Sequence, residues 1–351
     1  MDHRNRLQEL DALRGLAAFC VLLFHFTINQ NANKLGWQFD YGVTGVDIFF
    51  MISGFVIFLT IHKIKRWQEF VVFRFARLYP TYWACMLLTT LFIFIYNPGS
   101  FDPIQFLANL TMVPVFFSKE VLDGSYWTLV VELLFYFWIL LIYVSKTIRY
   151  IVQIGIFFTV AIVSFHYFES YYHDFYWITV RKVPLLSHFP LFFSGILFYN
   201  LKFKSFSFKT VAVILLSMAA SVYLHDKGGN AMFSTTALEH QLILIFYHIV
   251  FALFVLNKLT FLVQPPLLFL GKISYSLYLL HQFIGVHLIT TFNETWHLNI
   301  YLALILTILI CVGLAYLVTN YLELPAIKYI RNWYKTRENK DAGSDAQALL
   351  R

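Results

Sequence analysis

The sequence predicts an all-α integral membrane protein of about ten transmembrane helices with both termini in the cytoplasm. Three observations carry that prediction. Of 351 residues, 59% are hydrophobic and only 13% charged, too apolar for one soluble core. Ten long apolar runs alternate with short polar connections. With the N-terminus placed inside, 21 of the 26 Lys and Arg residues fall in cytoplasmic segments and 5 outside, as the positive-inside rule requires. The net charge of +7 then records topology, and no nucleic-acid partner is expected.

Taken in order, the apolar runs cover residues 10–29, 45–62, 78–96, 126–145, 148–166, 184–201, 209–224, 239–257, 268–290 and 299–322. The first is too long for the core of a cleaved signal and reads as a signal anchor. The turn residues of "NPGSFDP" (97–103) and "HDKGGN" (225–230) mark external loops. Residues 104–125 are only moderately apolar and are expected to form an interfacial or re-entrant helix. One membrane domain, 1–330, is followed by a short polar cytoplasmic tail, 331–351. Cys20, Cys85 and Cys311 lie in apolar runs without metal-ligand spacing and read as buried small hydrophobes. No metal is expected.

Five segments carry polar groups where lipid-soluble helices rarely have them. In "LDALRGLAAFCVLLFHF" (10–26), Arg14 and His25 are eleven residues apart, about three turns, so they share a helical face roughly 16 Å apart. Charged groups within a span normally face a protein interior or a wet cavity. Histidine can take a proton near neutral pH, as activation of a hydroxyl requires; a neutral hydrogen-bonding role is the plain alternative. Asp11 is placed to pair with Arg14. In "YGVTGVDIFFMISGFVIF" (41–58), Asp47 is either a helix-start acid or a partner of His25 or Arg14 that sets the charge on His25. Ser53 and Gly54 suit close helix approach.

In "FVVFRFARLYPTYW" (70–83), Arg74 and Arg77 share a face amid Phe, Val and Leu. Guanidinium forks in such a setting suit phosphate groups. In "GSYWTLVVELLFYFW" (124–138), Glu132 lies inside a span and needs a partner; a structural or site-lining ion pair is expected. Trp127 reads as an interfacial aromatic. In "LGKISYSLYLLHQF" (270–283), Ser274, Tyr278 and His281 share a face, Ser276 adds a hydroxyl, and interhelical hydrogen bonding competes with catalysis as their role. Glu323 precedes Pro325 at a span end.

Together with "FPLFFSGILFY" (189–199), these segments resemble the acyltransferase-3 family of bacterial membrane O-acyltransferases. The likeness runs from residue 10 to about 325. It implies a ten-helix bacterial inner-membrane enzyme that takes an acyl group, usually acetyl, from cytoplasmic acyl-CoA. The acceptor is a hydroxyl of an extracytoplasmic or lipid-linked glycan. It places the family's arginine–histidine motif on Arg14 and His25 and its paired arginines on Arg74 and Arg77, beside the CoA phosphates. On the residue reading above, Asp47 is expected with His25 and Arg14 in catalysis, Arg14 also beside the acyl-CoA, and Glu132, Trp127, Ser276, His281 and Glu323 are expected to line the site. His25 acts as general base or carries the acyl group; both remain open. Two departures are visible. Many relatives have a second carboxylate where Leu133 stands. Many also have a C-terminal extracytoplasmic domain, whereas a polar tail is expected here, so the chain works alone or with a separate partner. A transporter or flippase of an anionic or glycolipid substrate is the rival class.

Overall fold

Hydrocarbon offers no water to backbone N–H and C=O groups, so a spanning chain must close its hydrogen bonds within itself. The computed structural model does so with helices, and no strand occurs among the described residues, 7–204, 206–228 and 234–348, with side chains to Glu338. Arg4, Arg6, Arg351 and the end of the loop expected at 225–230 lie outside the described residues.

The elements are α1 (Gln8–Thr27), α2 (Gln30–Leu35), α3 (Gly45–Ile61), α4 (Trp67–Tyr96), α5 (Pro103–Asn109), α6 (Trp127–Val144), α7 (Ile151–Tyr167), α8 (His173–Lys182), α9 (Leu185–Phe203), α10 (Phe208–Tyr223), α11 (Ala237–Val255), α12 (Pro265–Leu280), α13 (Gln282–Thr290), α14 (Ile300–Val318) and α15 (Leu324–Ala348). Among the described residues, seven helices are long and apolar enough to cross a bilayer, or nine if each of two bent pairs is one span. The pairs are α8 with α9, bent by 53°, and α12 with α13, bent by 73°. The expected span at 209–224 corresponds to α10, whose 16 residues reach about 24 Å, short of the ~30 Å hydrocarbon core.

Four boundaries differ from the sequence reading, each for a local reason. α4 begins at Trp67, not 78, so Arg74 and Arg77 lie well inside a helix rather than in a connection. The run 268–290 is broken at His281. Residues 104–125 give α5 and two single-turn 3₁₀ segments, Pro114–Phe117 and Gly124–Tyr126, because Pro103 and Pro114 restart the chain. The tail expected from 331 is helical: α15 runs on to Ala348, and the boundary at 330 falls inside it.

Glycine decides the closest contacts. A Cβ on Gly15 would collide with the backbone at Gly271, and one on Gly271 with the carbonyl of Asp11. Gly54 and Gly195 face the partner backbone in the same way, at Phe192 and Met51. Small residues thus let α1 lie on α12 and α3 on α9, and these pairs frame the interior. Pro190, inside α9, cannot donate to the carbonyl of Leu186. His166 Nε2 donates to that carbonyl instead, at 3.3 Å, while its Nδ1 accepts from Tyr176 at 2.8 Å.

Candidate active site

Three cavities follow one another through the bundle. The first, a chamber of about 290 Å³, lies toward the end that carries the basic 62–66 connection. Its wall holds Arg14 from α1, Arg74 and Arg77 from α4, Arg331 from α15 and Glu132 from α6. The second is a space of about 20 Å³ bounded by His25, Asp47, Ser125, Trp127, His188 and His240, large enough for one water-sized group. Tyr278 and Val46 line both. The third is a groove of about 630 Å³ at the opposite end, with Asn29, Gln30, Asn31, Gln282 and His287 in its wall. His25 belongs to the second cavity and to the groove, so it stands between them.

In the chamber each charge is held differently. Arg14 Nη1 donates to Asp11 at 3.1 Å. Arg77 forms an ion pair with Glu323 and stands 5.1 Å from the centre of the Tyr275 ring. Glu323 is 2% exposed and sits in a π-helical turn, Thr319–Glu323, between α14 and α15. Ser276 donates to its second oxygen at 3.1 Å, and Thr319 donates to Ser276 at 2.9 Å. Arg74 donates to Thr60 at 2.7 Å and lies over the rings of Phe70 and Tyr136. Glu132 accepts from Ser53 at 2.9 Å and from Tyr136. Its partners are hydroxyls rather than the ion pair expected. Two of the four guanidinium groups in this wall, Arg14 and Arg77, are paired with carboxylates, and Arg74 and Arg331, which are not among the ion pairs of the described residues, leave positive charge that favours an anion.

Around His25 the structure corrects one expectation and adds a contact. Asp47 is hydrogen-bonded to His240 Nε2 at 3.0 Å, not to His25 or Arg14; the true partner is 193 residues away. The ring against His25 is His281, with centroids 5.1 Å apart. His281 is buried, and its Nδ1–H donates to the carbonyl of Tyr278 at 2.7 Å. That bond fixes the tautomer and leaves the Nε2 lone pair open, with no hydrogen-bond partner among the described residues. The break after α12 produces this placement: Asp123 accepts from Phe283 N at 2.9 Å and from Ser125 N at 2.8 Å, tying the start of α13 to the start of α6.

The expected residues therefore divide into groups. Arg14, Arg74, Arg77 and Glu132 meet in the chamber; His25, Asp47 and Trp127 meet in the second cavity, where Trp127 packs on His188 at 5.3 Å instead of serving only at an interface. Ser276, Glu323 and His281 line none of the three; they hold Arg77 and His25 from behind. Sequence reasoning missed Arg331, His188, His240 and the hydroxyls of Thr60 and Tyr136. A tail arginine looks like a topology signal, and histidines scattered over different spans carry no spacing.

An all-helical bundle with a guanidinium-lined chamber, an amide-lined groove and His25 beside the small cavity between them defines a multi-pass membrane protein. The chain belongs to the acyltransferase-3 family, whose Acyltransferase domain matches residues 7–316. It is also similar to the exopolysaccharide production protein ExoZ of Rhizobium meliloti (strain 1021), with 29% identity over 114 residues. That match spans 32% of this chain and 33% of ExoZ. No solved structure matches the chain.

Proposed function

We propose that the chain is an O-acyltransferase of the bacterial inner membrane, with both termini and the basic end of the bundle in the cytoplasm. It takes an acyl group, acetyl being the expected one, from acyl-CoA and passes it to a hydroxyl of an extracytoplasmic or lipid-linked glycan. The observation that carries this reading is the order of the cavities: guanidinium groups, then His25, then a groove lined by amides. Arginines suit the phosphates of CoA, and amide side chains suit hydroxyl-rich ligands. ExoZ's role in exopolysaccharide production supports a glycan acceptor.

In this mechanism the CoA phosphates sit among Arg14, Arg74 and Arg77, and the pantetheine arm extends past Tyr278 toward His25. His25 accepts the proton of the acceptor hydroxyl as its oxygen attacks the thioester carbonyl. The C–S bond breaks, the CoA sulfur takes the proton from the imidazolium, and the ester leaves through the groove. His281 and the Asp47–His240 pair hold the rings and dipoles around that step. Purified protein given labelled acetyl-CoA is expected to release CoA only when a glycan acceptor is present. A transporter would leave the thioester intact under both conditions, which would overturn this reading.

A further inference from the structure

We propose that Arg331, on the C-terminal helix, joins Arg74 in a clamp for a phosphate monoester, so that the chamber reads the 3′-phosphate of CoA and not only its pyrophosphate. This rests on the acyl-CoA reading above. The four guanidinium groups of the chamber are not equivalent. Arg14 is balanced by Asp11 and Arg77 by Glu323. Arg74 and Arg331 have no carboxylate partner among the described residues: Arg74 bonds to the Thr60 hydroxyl, and Arg331 lies over the Phe73 ring at 4.8 Å. The Nε atoms of both are buried without a hydrogen-bond partner.

Two like charges on one cavity wall, neither bonded to a carboxylate, repel each other unless an anion enters. A phosphate monoester carries about −1.5 to −2 charge near neutrality and offers three acceptor oxygens, which matches two uncompensated arginines and their open N–H groups. Depth selects the monoester over the pyrophosphate. Arg331 is eight residues beyond Glu323, about 12 Å along the axis, on a helix that runs along α4 from Arg77 past Phe73 toward Arg66. Arg74 is one turn closer to the basic end than Arg77. The pair therefore lies at the outer part of the chamber, where the adenosine end of an inserted CoA rests while its thioester points to His25. Arg331 also lies beyond residue 316, where the family match ends, and Arg66 bridges to Glu338 on the same helix at 3.6 Å, holding that helix against the start of α4.

The test is calorimetric binding of CoA and of 3′-dephospho-CoA to the full chain in lipid nanodiscs. Wild type is expected to bind CoA about ten- to a hundredfold more tightly, the span for charge-assisted hydrogen bonds. Arg331→Ala should remove most of the preference for CoA, Arg74 alone still meeting the phosphate, and leave dephospho-CoA affinity unchanged, which also shows that the variant is folded. Arg331→Lys should restore part of the difference. A preference for CoA that survives Arg331→Ala undiminished, or an equal loss for both ligands, overturns the clamp while leaving the acyl-CoA reading standing. Binding of neither ligand by wild type overturns that reading and the clamp with it.

Discussion

His25 has two roles open to it, and a single atom separates them. A glutamine in its place keeps a hydrogen-bonding group but cannot act as a base near neutral pH. His25→Gln is therefore expected to lower acyl transfer by about 10²–10⁴-fold with CoA affinity unchanged, measured as initial rate and calorimetric Kd on the same preparation. Near-normal turnover would make His25 a structural residue and move the base to His281, whose Nε2 is open. Label retained on wild type after acyl-CoA is removed, and absent from the variant, would replace the general base by an acyl-histidine. Arg14 and His25 were legible in the sequence because charged or titratable groups in an apolar run are expensive and must face something. The partner of Asp47 was not legible, since pairing with His240 is made by α3 and α11 both packing on α9 and no local spacing encodes it. Arg331 was hidden for a different reason: a basic residue at the cytoplasmic end of a span has the same sequence signature whether it marks topology or grips a ligand.

The helices were legible as apolar runs, but their breaks were not. The pattern of 268–290 is continuous, and only the tertiary ties of Asp123 to Phe283 and Ser125 show why the chain turns at His281. The π-helical turn before α15 is of the same kind, an irregularity that aims Glu323 at Arg77. Removing one partner of such a pair strands the other. Glu323→Gln is expected to destabilise the protein by about 3–5 kcal/mol, read as a lowered melting temperature in detergent without ligand. Arg77→Gln combined with Glu323→Gln should be more stable than Glu323→Gln alone, because no charge is then left uncompensated. If the two losses simply add, the pair does not join α4 to the end of α14, and Arg77 owes its position to packing.

Across the whole molecule, sequence predicts topology through charge while the structure supplies connectivity between cavities. With the basic end placed in the cytoplasm as proposed, the acyl group passes from the arginine chamber by His25 to the amide-lined groove. Proteoliposomes test it most directly, once reporter tags have sorted the protein so that the basic end faces the lumen. Labelled acetyl-CoA is sealed inside and a glycan acceptor is supplied outside. Label is expected on the external acceptor, with none when acetyl-CoA and acceptor are both outside, and with loss of the signal in His25→Gln. Label transfer with both substrates on the groove side, or free CoA accumulating inside without an esterified acceptor outside, would contradict it.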